Sequence, residues 1–298
     1  MINVGIAGTL SAVNRHIYAL NTIQNVQLSG TLDPLEKKRN EKIIERSDAL
    51  IITDQGDHFF DLTVRALRSA KHVYLYPSVV QSMNNVSQLI KLASEANVIL
   101  KCGRTSQSGL NNLLKKLPDL KDMSMIDLQH EIRMEENNRP MQEMVLGDME
   151  LVADLIRARN TYIRAKGLNI VSVRPEIINA RLEFDNGSVV NYYCNTLGTQ
   201  NLHHFTLACK DNILKYNILT KELTGWTLKR TGNQNENPIF IGNFQVEQAD
   251  YLADDLRRFF NLIHSGPAFL SIYDNGFESF LLADRILEKV SKTLVQFA

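Results

Sequence analysis

The first residues whose types and spacing could do chemistry are Gly8, Thr9 and Leu10. They follow the apolar run Ile2 to Ala7, and a glycine that ends a strand and opens a helix begins an anion-binding turn. The full dinucleotide form, G-x-G-x-x-G, uses one glycine for the tight turn, a second for close approach of the pyrophosphate and a third for helix–strand packing. Here Gly8 stands alone, with Leu10 in the second place and Val13 in the third. A leucine there obstructs the pyrophosphate, and a β-branched residue at the third place pushes the helix away. The helix start still offers its amides to an anion, so the expectation is NAD or NADP binding that is weakened, displaced or lost. Asp33 lies 25 residues beyond Gly8, where a carboxylate can bond the adenosine ribose hydroxyls and favour NAD. Lys37, Lys38 and Arg39 follow and would attract the 2′-phosphate of NADP. The competing reading makes Asp33-Pro34 a helix-starting turn and the basic run a solvated face.

Other polar candidates are more scattered. His130, His203 and His204 have no metal-ligand spacing, and adjacent histidines on a strand point to opposite faces, so no metal is expected. H-E-x-x-H, P-loop, G-x-S-x-G and Cys-His frameworks are absent from the sequence. Cys102, Cys194 and Cys209 are odd in number and widely spaced, which fits reduced thiols better than a disulfide scaffold. Lysine plus arginine equals aspartate plus glutamate at 33 each, so no strong field favours nucleic acid or an anionic membrane. The first residues lack the pattern of a signal peptide, and no run reaches the roughly 18 apolar residues of a membrane span. The expectation is a cytoplasmic protein with a small-molecule partner.

These residues need elements to position them. INVGIAG, VQLSGTLD, ALIIT, HVYLYP and NVILKCG read as strands, separated by helical patterns such as MNNVSQLIKLASEAN, whose Met83, Val86, Leu89, Ile90 and Ala93 share one face. This alternation predicts a doubly wound parallel sheet of Rossmann type over residues 1–118. Over residues 119–298 the pattern changes to long strand-like runs, MSMIDLQHEIRM, NIVSVRPEIIN, ARLEFDNGSVVNYYCN and HHFTLACKDNILKYNIL, with a turn at Asp185-Asn186-Gly187. They predict an α+β domain on a largely antiparallel sheet. A helix over MQEMVLGDMELVADLIRARN sits early in it, and Thr231 to Pro238 form a surface loop. Two further helices, QADYLADDLRRFFNLIHSG and one from about Asn275 to Val290, are expected to pack back on the first domain.

The chain resembles the Gfo/Idh/MocA oxidoreductases over nearly its whole length. VGIAGTLSAVNRHIYAL matches the family's opening, with His16, Ala19 and Leu20 in place, and Leu32 to Pro34 match the acidic end of its second strand. SDALIITDQGDHFFDLTVRALRSAKHVYLYP carries His58, Ala66-Leu67 and Lys71-His72-Val73, and DDLRRFFNLIHSGPAFLSIYDNGFESFLLADRILE resembles the closing pattern. The resemblance implies hydride transfer between NAD(P) and a small polyol, sugar-like or conjugated substrate, in a homo-oligomer. It also implies that Gly8, Thr9, Leu10, Asp33, Thr53, His58 and Pro77 contact the cofactor, and that Arg104 binds substrate at the cleft mouth. The family's Glu-Lys-Pro is Leu75-Tyr76-Pro77 here, so a phenol replaces the lysine as proton donor. The family's helix pattern D-x-x-x-H-x-x-D is also incomplete. Asp148 as its first acid puts Val152 at the histidine place, and Asp154 as its last puts Leu151 there. Asp148, Glu150 and Asp154 then either face a pocket, with Asp148 and Asp154 catalytic beside Tyr76, or are solvated helix carboxylates. These losses leave a second reading open, a non-catalytic descendant that binds a small ligand or a protein.

Overall fold

The structure is a computed structural model that describes residues 1–33, 36–54, 56–76, 80, 82–103, 123–136, 140–156, 161–227, 239–245, 251–266 and 276–296. It contains two compact units, one of Met1–Thr105 with Asp250–Leu281 and one of Ser106–Ala249 with Leu282–Ala298. Pro77, Arg104 and the loop Thr231 to Pro238 lie outside the described residues.

In the first unit, strands β1 (Ile2–Ala7), β2 (Val26–Leu32), β3 (Ala49–Ile52), β4 (His72–Leu75) and β5 (Leu100–Cys102) alternate with helices α1 (Leu10–Leu20), α2 (Lys37–Arg46), α3 (Asp57–Arg68) and α4 (Met83–Ala96). All pairings are parallel, in the order β2-β1-β3-β4-β5. Every residue of β3 is buried, as a central parallel strand covered on both faces requires. The Ser82 hydroxyl caps α4 by accepting from Asn85 N, and the helix ends at Asn97 in the left-handed region. The chain leaves β1 toward β2 on one side and returns to β3 on the other. The switch point, where open α/β sheets bind ligands, therefore falls between β1 and β3. Helix α6 (Tyr251–Ser265) completes this unit, with Leu252, Leu256, Phe259 and Phe260 joining Ile2, Val4, Ile6, Val13 and Tyr74 in one apolar cluster.

The second unit is built on a nine-stranded sheet in the order β13-β12-β11-β10-β6-β9-β8-β7-β14. Its strands are β6 (Met123–Arg133), β7 (Thr161–Asn169), β8 (Ile177–Phe184), β9 (Val189–Gly198), β10 (Leu202–Cys209), β11 (Asn212–Asn217), β12 (Glu222–Thr227), β13 (Ile239–Gln245) and β14 (Val295–Gln296). Pairing is antiparallel except for β6 with β9 and β7 with β14. The expected hairpin is present between β8 and β9, with Gly187 at φ 83°. Helix α5 (Met141–Leu155) covers one face of the sheet, where Met144, Val145, Met149 and Val152 pack on Leu128, Ile178, Leu182, Val190 and Phe205. In helix α7 (Glu278–Thr293), Leu282, Ala283, Ile286 and Val290 lie in this second core.

Two local expectations are corrected. Helix α5 ends at Leu155 with Ile156 extended, residues 157–160 of the expected helix lie outside the described residues, and an unexpected strand, β7, begins at Thr161. NIVSVRPEIIN is not one strand, because its middle bends around Glu176, whose carboxylate accepts from the backbone N of Ile170 (2.5 Å) and Val171 (3.0 Å). A charged acceptor on two successive amides holds a turn where β propensity alone suggests extension.

Candidate active-site clusters

The C-terminal edge of the first sheet gathers several of the expected residues. Thr53, just past β3, donates its N–H (2.9 Å) and its hydroxyl (3.1 Å) to the carbonyl of Ala7 at the end of β1. A Cβ at Gly8 would overlap Thr53 Oγ1, so the turn at the switch point admits only glycine. Thr9 then occupies the cap of α1 and accepts from Val13 N (2.9 Å) through its carbonyl. The first turn of α1 carries no acidic residue, which leaves the positive end of its dipole to an incoming anion. Leu10, the first helical residue, is 78% exposed. Val13 is buried in the core, so its branched side chain is accommodated between α1 and the sheet. Asp33 directly follows β2 with an exposed side chain, while its carbonyl accepts from Glu36 N and Asn40 Nδ2. His58 is exposed in the first turn of α3.

Tyr76 follows β4 and is half-buried, with its N–H on the carbonyl of Ile52 (2.9 Å). Its ring stands edge-on to His16 (5.4 Å) and Tyr74 (6.0 Å). His16 is buried and gives its Nδ1–H to the carbonyl of Ala12 (2.7 Å), and burial lowers its pKa. Beneath them Tyr74 donates to Asp255 on α6 (2.7 Å), and the Lys101 ammonium lies 3.2 Å from the other Asp255 oxygen. The phenol proposed for proton transfer is therefore seated on a hydrogen-bonded base rather than standing loose at the strand end.

The second unit holds a cluster whose pairing the sequence does not disclose. Asp148 projects from α5 to the sheet and is 1% exposed. One carboxylate oxygen accepts from His130 Nδ1 (2.9 Å) and from the Tyr192 hydroxyl (2.8 Å), and the other accepts from His203 Nε2 (2.7 Å). His130 and His203 face each other directly across β6 and β10, and their rings stack at 3.7 Å with 9° between planes. Burial works against the Asp148 charge. The attraction of His203, then His130, with hydrogen bonds from both rings, nevertheless holds its carboxyl well below the usual carboxylate range. Burial, and then the nearby Asp148 charge, push the Tyr192 hydroxyl and the Cys194 thiol up. The ligand atoms of His130, Asp148 and His203 lie within 4.8 Å of one another. A cation shared by two parallel rings would sit well out of both ring planes, where an imidazole lone pair does not point. The arrangement is that of two imidazoles orienting on one carboxylate. Asp154 is half-buried six positions further along α5, so at 3.6 residues per turn it lies on a different face from Asp148.

Sequence reasoning named His130, His203 and Asp148 separately and missed Tyr192 altogether. Alternation along β6, with Ile126 and Leu128 buried, places His130 on the core face. The register that sets His203 opposite it depends on a pairing distant in sequence.

No family model matches the sequence, and no curated protein matches it. Solved structures of Gfo/Idh/MocA-type NAD(P)-dependent oxidoreductases share this fold over nearly the whole chain. One such structure is UDP-N-acetylglucosamine 3-dehydrogenase GnnA from Acidithiobacillus ferrooxidans, at 16% identity and a TM-score of 0.77, covering 98% of each chain. A second is levoglucosan dehydrogenase in complex with NADH, at 12% identity and 0.73, again covering 98% of each chain. A third is biliverdin reductase from Synechocystis in complex with biliverdin and NADP+, at 17% identity and 0.67, covering 97% of this chain and 99% of that one.

Proposed function

We propose that this chain is an NAD(P)-dependent oxidoreductase acting on a small polyol, sugar-like or conjugated substrate. The observation that carries the reading is the turn at the switch point, where a Cβ at Gly8 would overlap Thr53 Oγ1 and where α1 starts with no acidic residue in its first turn. Asp33 at the end of β2 supplies the ribose contact, and the start of α1 supplies amides for the pyrophosphate. Leu10 is the misfit, but its exposed side chain can swing aside at a cost in affinity. These residues fit a dinucleotide bound more weakly than a three-glycine turn would bind it. When bound, the nicotinamide supplies or accepts a hydride. This chain's residues have to orient the substrate oxygen and move its proton. Tyr76 is proposed to hydrogen-bond that oxygen and Arg104 to bind an anionic substrate group; of the two acids of α5 expected to assist, Asp148 is buried with both oxygens bonded and Asp154 lies on a different face of the helix.

Titration of the purified chain with NADH and NADPH, followed by nicotinamide fluorescence, tests the reading directly. Saturable binding of either one is expected. Absence of binding by both would favour a non-catalytic ligand- or protein-binding role. Tyr76→Phe should keep cofactor affinity and lower turnover by roughly tenfold or more. Unchanged turnover would make Tyr76 a packing residue.

A cytoplasmic location and a homo-oligomer are part of the same proposal. Among the described residues no helix is long and apolar enough to cross a membrane. Met125, Ala208, Ile213, Trp226 and Phe240 fall in register across β6, β10, β11, β12 and β13 on the face away from α5. All of these but Ala208 are exposed large hydrophobics, and such a row supports homo-oligomer formation.

A further inference from the structure

We infer that Asn186, at the tip of the β8–β9 hairpin, is a site of self-modification, where the chain closes on its own side-chain amide, releases ammonia and leaves an aspartyl or isoaspartyl residue. The turn lies wholly within the second unit and needs neither cofactor nor substrate. Ring closure asks for a polarised side-chain carbonyl, a following backbone nitrogen with no side chain crowding it, and freedom for that nitrogen to move. Asn186 Oδ1 accepts from Ser188 N at 3.0 Å, so the oxygen that must take negative charge already faces an N–H at the distance of an oxyanion donor. The attacking nitrogen belongs to Gly187, at φ 83°, where even a Cβ would meet nothing within 4 Å beyond its chain neighbours. Asp185, Asn186 and Gly187 are all exposed. Two other asparagines share the first feature and lack the rest. Asn195 Oδ1 accepts from Leu197 N (2.8 Å), and Asn217 Oδ1 from Leu219 N (3.0 Å) and Thr220 N (3.1 Å). The β-branched Thr196 and Ile218 follow them. Their nitrogens are tied across the sheet, Thr196 N to the carbonyl of Glu176 (2.9 Å) and Ile218 N to that of His203 (2.8 Å). Gly187 N is instead held within its own turn, by the carbonyl of Phe184 at 3.0 Å. Freeing it breaks an exposed turn bond and thins the reactive population by roughly tenfold or less, whereas freeing the other two parts a strand pair.

In the first step Gly187 N gives its proton to hydroxide and attacks Asn186 Cγ. The new N–Cγ bond forms, the bond from Cγ to the side-chain nitrogen breaks, and that nitrogen leaves as ammonia with a proton taken from water. Water then opens the cyclic imide at either carbonyl. Attack at the main-chain carbonyl carbon leaves the chain running through Cγ, an isoaspartyl link with an extra methylene in the turn that sets the Glu183–Val189 register. Attack at Cγ leaves aspartate. Water is consumed, ammonia is released, no electrons change hands, and the tip gains a negative charge beside Asp185.

The test uses the full chain, incubated folded in buffers from neutral to mildly alkaline pH, with a parallel sample in guanidinium chloride for the unfolded rate. Proteolytic peptides are separated by chromatography and the altered residue is located by mass spectrometry. Location matters because Asn275-Gly276 repeats the dipeptide, with Asn275 outside the described residues. Folded Asn186 should give both products, the isoaspartyl form the more abundant, at a rate that rises with pH and stays within about tenfold of the unfolded rate. Asn195 and Asn217 should stay intact over the same time. Ile218→Gly places a glycine after Asn217 as well. In that folded variant Asn217 should still stay intact, and in guanidinium chloride it should react as fast as Asn186. An intact Asn186 in the folded wild type would overturn the inference, as would an aspartyl product alone, which marks direct hydrolysis without ring closure. Equal loss of Asn186 and Asn217 in folded Ile218→Gly would overturn it too, because the dipeptide and not the turn would then set the rate. If that variant does not fold, the wild-type comparison of Asn186 with Asn195 and Asn217 decides.

Discussion

Asp148 illustrates how far one residue's chemistry depends on partners that sequence neighbours do not supply. On its helix it is one of three acids, and a solvated carboxylate is the reading its spacing favours. In the fold it is buried beneath two imidazoles and a phenol. Because its folded pKa lies below the unfolded one, the charged form binds the native state better. The stability it contributes is complete above the unfolded carboxyl value of about 4 and is lost as pH falls through the lower, folded value. Asp148→Asn should therefore destabilise by roughly 3 kcal/mol near neutrality, the usual loss when one partner of a buried pair is removed. The gap from wild type should narrow as the medium is acidified below about pH 4. Urea unfolding of both proteins across that range measures it, and a gap that stays constant would show that the carboxylate charge is not what the cluster holds.

At the scale of elements, the β1–α1 turn separates two effects that the motif combines. Leu10 and Val13 both depart from the glycine pattern, but Val13 is buried in the core and Leu10 is exposed at the first helical position. Leu10→Gly alone should therefore tighten NADH binding, a tenfold gain corresponding to about 1.4 kcal/mol, without the core penalty that Val13→Gly would bring. Low-micromolar affinity in the wild type would show that Leu10 does not obstruct the site. The parallel first sheet was legible because each strand is a short apolar run and each helix keeps a 3.6-residue period. In the second unit the hairpin turn at Gly187 was legible. Strand β7 was not, because TYIRAKGLN mixes long charged side chains with β-formers, and its partner β8 decides the matter. The His130–His203 pair was illegible for a related reason, since cross-strand register over more than 70 residues leaves no local trace. The register of the outer face gives a further expectation. Trp226→Glu should lower the mass measured by sedimentation if the exposed row from Met125 to Phe240 joins two copies, and an unchanged mass would remove that role.

For the whole molecule, the notable feature is that the first unit is not continuous in sequence. Residues 1–105 supply the sheet, and α6 supplies Phe259, which is fully buried and packs on Tyr74 at 5.6 Å. Phe259→Ala should cost roughly 3–5 kcal/mol and raise amide exchange in β1 and β3 well above that in β8 and β9. Equal loosening of both sheets would mean that the two units unfold as one. The same discontinuity has a consequence during synthesis. The five strands leave the ribosome about 145 residues before α6 does, and at about 5–20 residues per second that is roughly 7 to 30 seconds. Through that interval the surface destined for Leu252, Leu256, Phe259 and Phe260 stays uncovered on the nascent chain, with the Tyr74 hydroxyl still awaiting Asp255. Such a surface is a natural landing place for a chaperone that reads apolar sequence as it emerges, and the arrival of α6 would displace it.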